Sequence, residues 1–79
     1  MSSALDTVAR VLGEIKGDPS LAARVTGSTD LLREVGLDSL ELTELMLRLE
    51  DEFGVELDLE HFDLRHLRCT QDLVQFFSR

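Results

Sequence analysis

Tryptophan and tyrosine are absent from these 79 residues, and cysteine and proline occur once each. Without Trp or Tyr, the flat aromatic platforms on which bases stack are missing. The lone Cys69 has no partner for an internal disulfide, which points to a reducing, cytosolic setting. Basic residues are scarce: eight Lys and Arg stand against sixteen Asp and Glu, a formal net charge of −8 at pH 7. A surface this acidic repels phosphate backbones, so nucleic acid is not an expected partner. Partners should instead present basic surfaces. No apolar run approaches the roughly 20 residues that span a bilayer. Met1-Ser2-Ser3-Ala4-Leu5-Asp6 has no basic region followed by an apolar stretch, so neither a signal peptide nor membrane association is expected.

What is present suits a folded helical chain. The composition is 43% hydrophobic and 30% charged, the balance of a soluble globule and not of a disordered segment. The length fits a single domain over residues 1–79, expected to be monomeric. A chain this short buries only about two thirds of its unfolded surface, too little to enclose a deep active site and keep a core behind it.

Hydrophobic periodicity sets out the elements. Leu5, Val8, Leu12 and Ile15 recur at helical steps, predicting a first helix over Ser3 to Lys16. Ser3 is its N-cap, with Asp6 in the capping-box position. Gly17-Asp18-Pro19 ends it. A long connection, Gly17 to Asp38, follows; Leu21, Val25, Leu31, Leu32, Val35 and Leu37 suggest that it packs over the core, with one helical turn opening near Ser28-Thr29-Asp30. The second main helix runs from Ser39 to Phe53, with Leu42, Leu45, Met46, Leu49 and Phe53 as its core stripe and Gly54 closing it. Val55 to Leu59 reads as an extended segment, Glu60 to Leu67 as a short helix, and Thr70 to Phe77 as a last helix capped by Thr70. Leu73, Val74, Phe76 and Phe77 face inward there. The expected fold is all-α: a small four-helix bundle with three main helices, one short helix, and a long loop between the first two main helices.

Enzymatic constellations are missing. His61 and His66 are five apart and do not share a helix face, and Cys69 adds no ligand cluster, so no zinc site is expected. Asp58, Glu60 and Asp63 lack the Gly and the final Glu of a calcium loop. No metal site and no catalytic residue is assigned.

One segment carries chemistry: Glu34-Val35-Gly36-Leu37-Asp38-Ser39-Leu40-Glu41-Leu42. It sets a serine at the start of a long helix, straight after a Gly-containing loop. A hydroxyl there lies at the positive end of the helix dipole, where a phosphodiester is well tolerated. Asp38 beside it has the chemistry to hold a divalent metal during phosphoryl-type transfer. The simpler reading, from spacing alone, is that Ser39 caps the helix. Across the same helix Leu40, Glu44, Leu47 and Asp51 fall at i, i+4, i+7 and i+11, on the face the core does not use. Glu41, Glu50 and Glu52 add charge around it. Leucines among carboxylates fit a docking patch for a basic surface, or an ordinary solvated face. Arg48 departs from the acidic trend, and Glu44 lies at the i, i+4 distance for pairing with it.

Gly36-Leu37-Asp38-Ser39-Leu40 resembles the attachment motif of the acyl carrier protein family, and the likeness extends to length, acidity and the order of helices. The resemblance implies that Ser39 carries a 4′-phosphopantetheine arm, attached from coenzyme A by a phosphopantetheinyl transferase. The arm would hold acyl groups as thioesters, and the chain would itself be no catalyst. It also implies that partner enzymes, whether loading, condensing or transferring acyl groups, recognise the helix bearing Leu40, Glu41, Glu44, Leu47, Glu50 and Asp51. The two Arg and two His between Glu60 and Arg68 differ from the acidic fatty-acid members, and suggest a discrete carrier of polyketide or other specialised biosynthesis. An aminoacyl or peptidyl carrier is the alternative within this class. An acidic helical adaptor without a prosthetic group is the alternative outside it.

Overall fold

The computed structural model describes residues 3–56 and 63–77. Its elements are α1 (Ala4–Lys16), α2 (Pro19–Arg24), α3 (Ser39–Phe53), a 3₁₀ turn (Leu64–Leu67) and α4 (Thr70–Phe77). No strand occurs among the described residues, and the fold is the small all-α bundle the periodicity implies. Only Val55 and Glu56 of the expected extended segment fall within the described residues. So does only the end of the expected 60–67 helix, which is a four-residue 3₁₀ turn. Leu57 to Phe62, His61 among them, lie outside.

Local chemistry explains where each helix begins and ends. In α1 the Ser3 hydroxyl accepts from the Asp6 N–H at 3.1 Å, and the Asp6 carboxylate accepts from the Ser3 N–H at 3.2 Å, the reciprocal capping box. Gly17 closes the helix at φ 65°, a left-handed conformation that favours glycine. Asp18 and Pro19 then do more than stop α1. Asp18 accepts from the Ser20 N–H at 3.1 Å and caps α2, with Pro19 at its first position. The expected loop therefore carries a helix of its own. Gly13 gives α2 room: a Cβ there would sit 3.1 Å from the Asp18 carbonyl oxygen.

The core lies where α1, α3 and α4 meet under the connection. Val8, Val11 and Leu12 from α1, Leu45 and Leu49 from α3, and Leu73 from α4 are fully buried. Leu31 and Leu67 join them from the connection and the 3₁₀ turn. Leu5, Ile15, Leu42 and Phe53 pack against this core half-exposed. The connection is pinned to the end of the bundle. Leu31 N–H donates to the Leu67 carbonyl at 2.9 Å, Thr70 N–H to Thr29 at 3.0 Å and Gln71 N–H to Gly27 at 2.8 Å.

Those bonds overturn the expectation that Thr70 caps α4. Its buried hydroxyl donates to the Thr29 carbonyl at 2.9 Å, and the Cys69 carbonyl accepts the first helical bonds. Loop carbonyls satisfy the N–H groups that a side-chain cap would otherwise serve. The Cys69 thiol is occupied as well, donating to the Gly27 carbonyl at 2.7 Å.

Candidate functional site

The segment from Gly36 to Leu40 turns sharply, and each residue has a separate task. Gly36 adopts φ 74°, a left-handed conformation with open space around it. Leu37 is buried and anchors the turn in the core. Asp38 is the N-cap of α3: its carboxylate accepts from the Glu41 N–H at 2.7 Å, and the Glu41 carboxylate accepts from the Asp38 N–H at 3.2 Å. Ser39 is thus the first residue of the helix and not its cap, which corrects the capping reading. With the cap filled by Asp38, the exposed Ser39 hydroxyl makes no hydrogen bond among the described residues. The N–H groups of Ser39 and Leu40 are likewise unpartnered there, as the first turn of a helix leaves them.

Lys16, the only lysine in the chain, ties this turn to the end of α1. Its ammonium donates to the Glu41 carboxylate at 2.7 Å and to the Gly36 carbonyl at 2.9 Å. That hydrogen bond, with the Asp38 N–H second, holds the Glu41 carboxyl below the usual carboxylate range. Glu41 is half-buried in this contact, so its charge is turned to the cap and not outward. Lys16 belongs to no motif in the sequence. Its signal was a lone lysine in the last turn of an amphipathic helix, where cations suit the dipole.

Along α3 the outward face stands as the spacing placed it. Leu40 is 79% and Leu47 62% exposed, and Glu44 and Asp51 are exposed between and beyond them. Glu50 is half-buried at the margin. Arg48 does not pair with Glu44. It reaches back to Glu14 on α1, whose carboxylate also holds Arg10, and Arg10 in turn meets Glu52 at 2.7 Å. The bases near α3 are consumed by this α1–α3 lattice, which leaves Glu44 and Asp51 without an ion-pair partner among the described residues. Among those residues no group of three His, Cys, Asp or Glu side chains is placed to hold a metal ion.

Comparison with known proteins gives this arrangement a class. Residues 4–77 match the family described as "Phosphopantetheine attachment site". The chain is 32% identical over 75 residues to an acyl carrier protein of Thermobifida fusca, covering 95% of this chain and 90% of that one. It is 38% identical over 58 residues to an acyl carrier protein of Solidesulfovibrio magneticus, covering 73% and 72%. With a match of that extent, the chain belongs to the acyl carrier protein family. Members of this family are carriers and not catalysts, and the group they carry is 4′-phosphopantetheine. Carrying it entails meeting a phosphopantetheinyl transferase and biosynthetic enzymes.

Proposed function

We propose that Ser39 is the residue that takes the 4′-phosphopantetheine arm, and that residues 1–79 act as one monomeric, cytosolic carrier domain. The observation that carries this reading is the exposed, unbonded Ser39 hydroxyl at the first position of a 15-residue helix. The residues around it fit an ester-linked phosphodiester. The unpartnered Ser39 and Leu40 N–H groups and the helix dipole favour an anion. Of the neighbouring acids, Asp38 is turned to the cap and Glu41 is paired with Lys16. When bound, the arm supplies a terminal thiol that holds an acyl group as a thioester.

The chain's own residues then present that cargo. Leu40, Glu44, Leu47 and Asp51, with Glu41 and Glu50 at the margin, form the surface that basic faces of loading, condensing or transferring enzymes meet. Fatty-acid, polyketide or related specialised biosynthesis is the setting, and the Arg and His content of residues 60–68 leans toward the specialised pathways.

Incubating the chain with coenzyme A, magnesium and a broad-specificity phosphopantetheinyl transferase tests the assignment. The intact mass should rise by one phosphopantetheine in the wild type and stay unchanged in Ser39→Ala. A Ser39→Ala protein that still gained the arm would overturn it.

A further inference from the structure

In a chain with twice as many acids as bases, a surface base ordinarily finds a carboxylate. Most of the described bases do. Arg10 meets Glu14 and Glu52, Lys16 meets Glu41, Arg24 meets Asp18 at 2.8 Å, and Arg48 meets Glu14. Arg33 and Arg68 are the exceptions: neither has an ion-pair partner among the described residues. They come from distant parts of the sequence, yet they line one concavity of about 590 Å³ together with Arg65. Arg65 Nε lies 3.4 Å from the Asp63 carboxylate. The two terminal amino groups of Arg65 make no hydrogen bond among the described residues.

Two carboxylates share these walls, and both are drawn to the backbone. Asp30 accepts from the Leu32 and Arg33 N–H groups, each at 2.9 Å. Asp63 accepts from the Arg65 N–H at 2.9 Å. Three guanidinium groups therefore face outward against two acids already engaged. The walls are held in place by the Leu31–Leu67 and Thr29–Thr70 backbone bonds, so little ordering is needed before a ligand binds. This cleft is built from the connection and the 3₁₀ turn. None of the residues lining it comes from α3.

We infer that the Arg33–Arg65–Arg68 cleft docks an acidic segment, rich in Asp or Glu, of a partner protein. Guanidinium forks match carboxylates in geometry as well as charge. The concavity is larger than one carboxylate needs, so it suits several along a chain. A protein of net charge −8 repels such a segment at long range. At about 0.1 M ionic strength the Debye length of about 10 Å screens that repulsion and leaves the contact pairs.

The test is a titration of the ¹⁵N-labelled protein with a hexaglutamate peptide at that ionic strength. Amide resonances of Arg33, Leu67 and Arg68 should shift saturably. Arg33→Gln with Arg68→Gln should weaken the binding on the order of three- to tenfold, as losing two exposed charge pairs implies. Circular dichroism should show the fold intact, since both side chains are exposed and neither has an ion-pair partner among the described residues. Three outcomes overturn the proposal: no saturable shifts, shifts unaltered in the double variant, or the same shifts from inorganic phosphate at equal ionic strength. Self-association of the wild type that the double variant abolishes would also overturn it, by making a second copy of the chain the occupant.

Discussion

Lys16 Nζ sits 2.7 Å from the Glu41 carboxylate and 2.9 Å from the Gly36 carbonyl oxygen, so one side chain at the end of α1 grips both ends of the turn that holds Ser39. Lys16→Met keeps most of the stem that packs along the helix and removes the ammonium. The cap should then fray. Amide hydrogen exchange at Glu41 and Leu42 should quicken, while the thermal midpoint moves little. On the reading that Ser39 is the loading site, arm transfer should slow as well, and Lys16→Arg should restore part of the rate. Identical exchange in wild type and Lys16→Met would show that the tie does not order the turn.

The cap and its neighbour should separate cleanly in stability. Asp38 supplies the capping oxygen of α3, so Asp38→Ala should cost about 0.5–2 kcal/mol. Ser39 caps nothing, so Ser39→Ala should unfold at nearly the wild-type denaturant concentration. Urea melts of the two variants, compared at equal slope, decide this.

Boundaries with their own side-chain chemistry were legible: the Ser3 capping box, Ser39 to Phe53 and Gly54 after it. The α3 stripe was legible too, because α3 buries one face. The stripe read for α1 was too narrow, missing Val11 and Ala9, both buried. The reason is that α1 packs against α2, α3 and α4. Asp18-Pro19 reads as a stop and is also a start: Asp18 caps α2 with Pro19 at its first position, and α2 then packs close to Gly13 of α1. The Thr70 and Arg48 partners lie 41 and 34 residues away, beyond the reach of local pattern. The exposure of Ser39 was foreseeable from its motif; the tie from Lys16 depends on how α1 and α3 are placed.

Acid should loosen the molecule through two named carboxylates. Glu41 is held low first by the Lys16 hydrogen bond, and Glu14 first by the Arg48 hydrogen bond. A carboxylate whose pKa is lower folded than unfolded contributes stability above its unfolded value of about 4.3, and that contribution fades as pH falls through the folded value. The melting temperature should therefore stay level from neutral to mildly acid pH, where the contribution of these pairs is fully present, and should drop below about pH 4. Lys16→Met combined with Arg48→Met should flatten that drop. An equally steep acid limb in the double variant would place the linkage in other groups.

Leu47 and Leu49 stand two residues apart on α3 and should behave as opposites. Leu49 is fully buried, and Leu49→Ala should cost about 2–5 kcal/mol, a large share of what a small domain has. Leu47 is 62% exposed, and Leu47→Ala should melt like wild type. Its effect should appear only with a partner, as faster dissociation with little salt dependence, because it removes dry contact. Glu44→Lys with Asp51→Lys should act on the other half of the encounter. Both acids are exposed and without ion-pair partners among the described residues, so their field is open to a basic surface. Reversing them should slow association at low salt, and the deficit should shrink as salt rises, since exposed charges are screened within about 8 Å at physiological ionic strength. Arm-transfer rates across a salt series, with circular dichroism as the folding control, check both halves. Unchanged low-salt rates in the double reversal would move docking off this face of α3, and the cleft at Arg33, Arg65 and Arg68 is where the same salt series should then be run.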